Sequence, residues 1–179
     1  TLVDSADEVW RQSGMIIKVK EPIKPEYDRI QNGQLIYTYF HLAAVPELAE
    51  VLLNKEVSSI AYETIQLADG SLPLLHPMSE VAGKMAPQVG AACLQKEHGG
   101  RGVLLGGIPG VGRGKVVVLG AGTVGTNAAK IALGMGADVT ILDVNLRRLS
   151  YLEEVFGSRL KTRFSDGEAI EELIEDADL

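Results

Sequence analysis

The sequence is poor in cysteine, histidine and aromatic residues. Among its 179 residues are one cysteine, three histidines and one tryptophan, and aromatic side chains make up 5%. The single cysteine, Cys93, cannot form an internal disulfide, which is typical of proteins in a reducing cytoplasm. Because its neighbours follow an apolar helical pattern, we predict a small buried side chain there rather than a nucleophile.

The sequence also lacks the features that indicate several classes of partner and site. A formal net charge of −7 argues against nucleic acid, because domains that bind it usually carry a basic stripe. No stretch approaches the roughly 20 apolar residues of a membrane span and no signal peptide is evident, so we expect a cytoplasmic protein without a membrane partner. No cysteine, histidine and carboxylate cluster has metal-ligand spacing, and serine-elbow and Gly-Lys-Ser/Thr phosphate-loop motifs are absent. We therefore predict no metal site.

What the sequence does contain is a glycine fingerprint between two apolar runs. The run Lys115–Leu119 leads into Gly120-Ala-Gly122-Thr-Val-Gly125, and Asp143 closes the next run 18 residues past Gly125. The first glycine allows a tight turn, the second allows a pyrophosphate to approach the backbone, and the third allows the following helix to pack closely. A helix starting near Thr123 would point its N–H groups at the phosphates. This order predicts a dinucleotide-binding βαβ unit.

Strand and helix patterns alternate along the whole chain, which indicates an α/β fold. We expect two Rossmann-like parallel-sheet domains joined by a long helix. We expect both domains to be incomplete, because the chain resembles an excised piece of a longer protein. Residues 1–77 form the first block, 78–99 the linking helix and 100–179 the dinucleotide block. Predicted strands span 15–19, 34–40, 59–62, 115–119, 138–143 and 160–164, and predicted helices span 46–53, 78–96, 146–156 and 167–175.

Two polar residues of the first block follow predicted strands, where open parallel sheets place their sites. Lys20 can neutralise a carboxylate or polarise a carbonyl, and His41 can take and return a proton near neutral pH. From position alone, a surface lysine and a structural histidine remain open alternatives. His76 and His98 are expected to be structural or exposed to solvent.

Segments along nearly the whole chain resemble the alanine dehydrogenase family, a group that also holds the α subunit of proton-translocating transhydrogenase. They include Lys-Val-Lys-Glu-Pro at 18–22, Tyr-Phe-His-Leu-Ala-Ala at 39–44 and Pro-Met-Ser-Glu-Val-Ala-Gly at 77–83. Further matching segments are 60–64, 72–75, 99–107, 109–111 and 141–145, together with the glycine fingerprint.

The resemblance implies reversible, NAD-dependent oxidative deamination of L-alanine to pyruvate and ammonium by a homohexamer that degrades the amino acid. It implies that Lys20 contacts the substrate and that His41 is the catalytic acid/base. It also places residues 1–77 in the substrate domain and 100–179 in the first half of the NAD-binding domain. The residues expected to bind NAD are Ser79, Gly120, Gly122, Thr123, Val124, Gly125, Asp143, Arg148 and Ser165. A substrate-binding arginine before Thr1 and an aspartate beyond Leu179 would be missing, so we expect this piece alone to be inactive.

Two other functions and the choice of cofactor stay open. The transhydrogenase α subunit shares the fold, although its lysine segment is expected to read Lys-Val-Asn. A non-catalytic NAD-binding module would tolerate alanine at Lys20 and His41. Asp143 favours NAD over NADP because a carboxylate repels the 2′-phosphate, but Arg147 and Arg148 could soften that preference.

Overall fold

The computed structural model describes residues 2–179, which divide into two compact units. The first unit ends at Leu75 and the second runs His76–Leu179. Each unit contains one three-stranded parallel sheet. The predicted α/β class with Rossmann-like parallel sheets is therefore confirmed.

The first sheet has the strand order β1-β2-β3. Its elements are α1 (Ala6–Gln12), β1 (Met15–Lys20), α2 (Lys24–Tyr27), β2 (Leu35–Tyr39), α3 (Pro46–Asn54) and β3 (Ser58–Ala61). Strand β2 alternates buried and half-buried residues, as a strand covered on one face does. Helix α3 starts with Pro46 in its first turn and buries Leu48 and Leu52, which lie one turn apart on one face. The core consists of Trp10, Ile16, Ile30, Ile36, Phe40, Leu48 and Leu52.

The second sheet has the strand order β4-β5-β6. Its elements are α4 (His76–Cys93), β4 (Lys115–Leu119), α5 (Thr123–Gly134), β5 (Asp138–Asp143), α6 (Leu146–Phe156), β6 (Leu160–Phe164) and α7 (Gly167–Glu175). Leu179 bonds to β4 on the edge opposite β5: its oxygen accepts from the Val117 N–H at 2.9 Å and its N–H donates to the Lys115 oxygen at 3.2 Å. After β6 the chain therefore returns to the other side of β4, so the order of the strands reverses there. In open α/β sheets, ligands bind at the point where the strand order reverses.

Helix α4 packs through small residues, and this explains one wrong prediction. Its buried positions are Gly83, Pro87 and Gly90, followed by Leu94 just past its end. A Cβ at Gly83 would lie 2.3 Å from the Val124 carbonyl oxygen, so α4 and α5 approach at backbone distance. Cys93 is exposed, not buried, because it lies off this face. The residues around Cys93 in the sequence are apolar, but not all of them face the core.

Two further kinds of feature are absent from residues 2–179. No group of three or more histidine, cysteine, aspartate or glutamate residues is arranged to hold a metal ion. No helix among these residues combines the length and the apolar character needed to cross a membrane.

Candidate functional site

The glycine fingerprint lies between β4 and α5, and its three glycines have different surroundings. Gly120 has φ +96°, a conformation that strains any residue with a Cβ. A Cβ on Gly125 would lie 1.8 Å from the Gly120 carbonyl oxygen, so only glycine lets α5 pack this close. At Gly122 a Cβ would meet nothing within 4 Å among the described residues, so the backbone there is open to an approaching group.

Helix α5 presents its N-terminus to this open space. It begins at Thr123 with Gly122 as the N-cap, and no side chain within residues 2–179 caps it. Its first N–H groups and positive dipole end are therefore available to an anion. A concavity of about 380 Å³ lies here, and Ser79 of α4 also contributes to its wall. It is lined by Ser79, Gly120, Gly122, Thr123, Val124 and Gly125, together with Val118, Leu119 and Ala128.

Asp143 holds the glycine loop from the end of the neighbouring strand. Its Oδ2 accepts a hydrogen bond from the Ala121 N–H at 2.6 Å, and its Oδ1 accepts from the Asn145 N–H at 2.7 Å. These donors, the Ala121 N–H first, hold the pKa of the Asp143 carboxyl below its ordinary value, and the positive charge of Arg148 adds to the effect. An acid that is ionised at neutral pH therefore lies beside the glycine loop.

Arg148 braces the same loop. Its Nε donates to the Ala121 carbonyl oxygen at 2.7 Å and its Nη2 donates to Thr126 Oγ1 at 2.9 Å. The guanidinium also lies over the Tyr151 ring, 5.0 Å from its centroid. Both backbone polar groups of Ala121 are thus bonded, the N–H to Asp143 and the carbonyl to Arg148, while Arg147 is exposed.

Ser165 lies next to Asp143 but outside the concavity. It follows β6, and its N–H donates to the backbone carbonyl oxygen of Asp143 at 3.1 Å.

His76 is the first residue of α4 and lies close to the glycine fingerprint. Its Nδ1 is 3.3 Å from Thr123 Oγ1, and its Nε2 is 3.5 Å from Glu80 Oε1. Its side chain is 58% exposed, as expected for a solvent-facing histidine. Its closeness to the fingerprint was not predicted, because the contact depends on how α4 packs on α5.

In the first unit, the register of the sheet places Lys20 and His41 at one edge. Lys20 ends β1 and pairs with Tyr39, two residues before His41. The Lys20 side chain is 59% exposed, and its Nζ lies 3.6 Å from Glu21 Oε2. The ammonium group is therefore accessible at the carboxyl ends of the strands, although Lys20 does not line the concavity that contains His41.

His41 has an unusual backbone. Its φ of +50° and ψ of +36° lie in the left-handed region, which residues other than glycine rarely adopt. Its Nε2 is buried and has no hydrogen-bond partner in the described chain, and its ring stacks on Tyr39 with centroids 6.4 Å apart. A concavity of about 450 Å³ opens beside it, lined by residues 40–44, Ala61, Glu63 and Thr64. A buried ring nitrogen without a partner is uncommon in proteins, and such groups occur where a residue has a catalytic role.

Glu63 is a site residue that the sequence reasoning missed. Its Oε1 accepts hydrogen bonds from the N–H groups of His41 at 2.9 Å and Phe40 at 3.0 Å. Burial alone would raise the pKa of this carboxyl, but the backbone donors, His41 first, hold the pKa below its ordinary value. The available signal was its position just past β3, in the segment 60–64 that carries part of the resemblance.

Comparison with known proteins covers both units. Residues 1–82 match the family model of the alanine dehydrogenase/PNT N-terminal domain, and residues 86–179 match that of the C-terminal domain. An alanine dehydrogenase of Methanococcus maripaludis is 56% identical over 99% of this chain and 48% of its own length. One of Mycobacterium tuberculosis H37Rv is 53% identical, also over 99% and 48%. The chain thus spans about half the length of the curated relatives it matches.

Solved structures give the same result at the level of the fold. An L-alanine dehydrogenase structure superimposes with a TM-score of 0.85 at 52% identity, over 99% of this chain and 49% of the other. A transhydrogenase from Sinorhizobium meliloti superimposes with a TM-score of 0.69 at 19% identity, over 97% of this chain and 51% of the other. The second likeness shows a common fold and nothing more.

Proposed function

The chain belongs to the alanine dehydrogenase/PNT family, and from this premise we propose that the full-length protein is an NAD-dependent alanine dehydrogenase. It converts L-alanine, NAD and water reversibly to pyruvate, ammonium, NADH and a proton. The observation that carries the proposal is 56% identity across 99% of the chain to a protein named alanine dehydrogenase. The transhydrogenase likeness, at 19% identity, supports only the fold.

The second unit supplies the cofactor side of the reaction. The open backbone at Gly122 and the uncapped start of α5 fit a pyrophosphate, and Ser79, Thr123 and Val124 line the same space. Bound NAD supplies the hydride acceptor for the chemistry. Asp143 is suited to the adenosine ribose hydroxyls, and Ser165 lies next to it. Together with Gly120, Gly125 and Arg148, these residues form the proposed cofactor site.

The first unit supplies the substrate side. His41 accepts a proton at Nε2 as the amine of alanine becomes an imine, and it assists the addition of water that releases ammonium. The Lys20 ammonium group orients the substrate carboxylate or carbonyl and stabilises negative charge there. Both residues follow from the resemblance, and the sheet register that pairs Lys20 with Tyr39 supports their common location.

We propose NAD rather than NADP as the cofactor. The Asp143 carboxylate is ionised and would repel a 2′-phosphate. Arg148 is already bonded to the Ala121 carbonyl and to Thr126, so it is poorly placed to offset that repulsion. Arg147 is exposed and follows Asp143 by four positions in the sequence. Comparing the Michaelis constants of the two cofactors tests the preference.

The assembly and cellular place of the protein are proposed from the resemblance. We expect a homohexamer in the cytoplasm, acting in amino-acid degradation, without nucleic-acid, membrane or metal partners. Light scattering of the full-length protein measures the oligomeric state, and a monomer would contradict this part of the proposal.

The activity is tested with the purified full-length protein, L-alanine and NAD. We expect NADH absorbance to grow with alanine, and we expect His41→Ala to abolish turnover while NAD still binds. Hydride exchange between two nicotinamide nucleotides without alanine-dependent NADH would indicate a transhydrogenase subunit instead. Full activity of both His41→Ala and Lys20→Ala would indicate that neither residue is catalytic.

A further inference from the structure

Two successive backbone N–H groups converge on one carboxylate at the end of β2. The Phe40 and His41 N–H groups donate to Glu63 Oε1 at 3.0 and 2.9 Å, and the Phe40 N–H also reaches Oε2 at 3.3 Å. Consecutive N–H groups aimed at one anion resemble the backbone nests that bind anions in proteins. Here the anion is a side chain of the same chain.

The conformation that these bonds hold is one that His41 would otherwise avoid. Its φ of +50° brings the Cβ of an L-residue close to its own backbone, and glycine usually occupies such positions. A conformation of this kind persists only where the surroundings enforce it. Glu63 bonds the His41 N–H, and the His41 carbonyl accepts from the Ala44 N–H at 2.9 Å. Both polar groups of the His41 backbone are therefore engaged.

Glu63 is itself held in place. It lies in the 3₁₀ turn Tyr62–Thr64 that follows β3, which pairs with β2 in parallel register. The Tyr62 ring packs edge-on against the rings of Tyr37 and Tyr39, with centroids 4.2 and 4.8 Å apart. These contacts fix the turn on the strand that leads to His41.

We infer that Glu63 is a positioning residue that holds the Phe40–His41 backbone so that the unpartnered Nε2 of His41 stays directed for proton transfer. The inference rests on the proposed role of His41 as acid/base. Glu63 acts through the backbone of His41, so what matters is an acceptor oxygen at its position and not the negative charge. Displacement of an aligned catalytic group by about 1 Å can lower a rate on the order of 100-fold.

The first test compares Glu63→Ala, Glu63→Gln and Glu50→Ala in the full-length protein. Glu50 is an exposed residue of α3 and serves as the matched control. We expect Glu63→Ala to lower kcat by roughly 10- to 100-fold with an unchanged Kd for NAD. Glu63→Gln should keep kcat within about threefold, because its amide oxygen can replace Oε1 and accept both N–H groups, and only the longer contact of the Phe40 N–H with Oε2 at 3.3 Å is lost.

The second test does not depend on activity. Hydrogen exchange followed by NMR should show protected Phe40 and His41 amides in the wild type and in Glu63→Gln, and fast exchange in Glu63→Ala. Wild-type kcat in Glu63→Ala, or equal losses in the alanine and glutamine variants, would overturn the positioning role. If the wild type itself lacks alanine activity, the proposed function fails, while the exchange result still decides whether Glu63 holds this backbone.

Discussion

Two loops at strand ends, one in each unit, accommodate a residue with positive φ in different ways. The loop after β4 and the loop after β2 both contain a residue with positive φ, and in both a carboxylate from a neighbouring segment accepts backbone N–H bonds. In the glycine loop the residue is Gly120, so the conformation costs little. In the other loop it is His41, whose side chain is the proposed acid/base. Strain is thus avoided in the loop that offers only backbone groups and is retained in the loop whose proposed chemistry uses an imidazole.

The largest expected effect concerns the packing beneath the glycine loop. Gly125→Ala would place a Cβ 1.8 Å from the Gly120 carbonyl oxygen, a contact that only a backbone shift relieves. We expect a loss of about 3 kcal/mol in the free energy of unfolding, the upper range for overpacking, together with loss of NAD binding. Urea denaturation and NAD titration measure the two effects.

Gly134→Ala in the same helix is the matched control. A Cβ there meets nothing within 4 Å in the part of the chain that the structure describes. We expect its free energy of unfolding to be unchanged or slightly higher, because alanine favours helix over glycine by up to about 1 kcal/mol. If both variants behave alike, close packing at Gly125 is not what the loop requires.

The next effect concerns the acid that holds the glycine loop. Asp143→Ala leaves the Ala121 and Asn145 N–H groups without their acceptor, and we expect a cost of about 1 to 2 kcal/mol in unfolding free energy. Because the pKa of Asp143 is lower in the folded chain, its contribution is present above the ordinary carboxylate range and is lost as the pH falls through the folded pKa. Stability measured against pH should therefore fall less steeply in acid for Asp143→Asn than for the wild type. Parallel curves would show that these hydrogen bonds do not contribute to the pH dependence of the stability.

A smaller effect on stability measures the backbone strain that the His41 loop carries and the glycine loop does not. His41→Gly and His41→Ala both remove the imidazole, but only glycine relieves the backbone at φ +50°. We expect His41→Gly to be more stable than His41→Ala by about 1 kcal/mol, with neither variant catalysing turnover. Thermal denaturation of the two proteins under the same conditions provides the comparison. An alanine variant as stable as the glycine variant would mean that His41 is not strained.

The two loops also differ in how much of them could be predicted from sequence. The roles of Gly120 and Gly125 follow from local rules of a strand, a turn and a helix, so their spacing alone predicted the turn and the close packing. The role of Glu63 depends on the parallel register of β2 and β3, which brings residues more than 20 positions apart into contact. No local pattern reports that register. Lys20 and His41 stood out because polar residues after strands are easily recognised, and the family resemblance supplied their expected roles.

Other residues show the same limit. The exposure of Cys93 depends on which face of α4 packs, and small residues, not the apolar ones, form that face. Asp143 and Arg148 were predicted to contact NAD, and their bonds to Ala121 became apparent only from the positions of β5 and α6. Hydrophobic periodicity predicts that an element exists, whereas the contacts of its polar side chains depend on packing between elements.

The smallest expected effect tests whether the brace on the glycine loop acts by geometry or by charge. Arg148→Lys keeps the charge, but its single ammonium group cannot replace the fork that joins the Ala121 carbonyl to Thr126 Oγ1. Because the side chain is half-exposed, water can satisfy the released carbonyl, and we expect only about 0.5 to 1 kcal/mol of lost stability. NAD affinity should fall severalfold, because the loop is less rigid before it binds. Arg147→Lys, the exposed neighbour, serves as the control. Equal affinities for the two variants would mean that charge near the loop suffices and that the fork of Arg148 does not hold it.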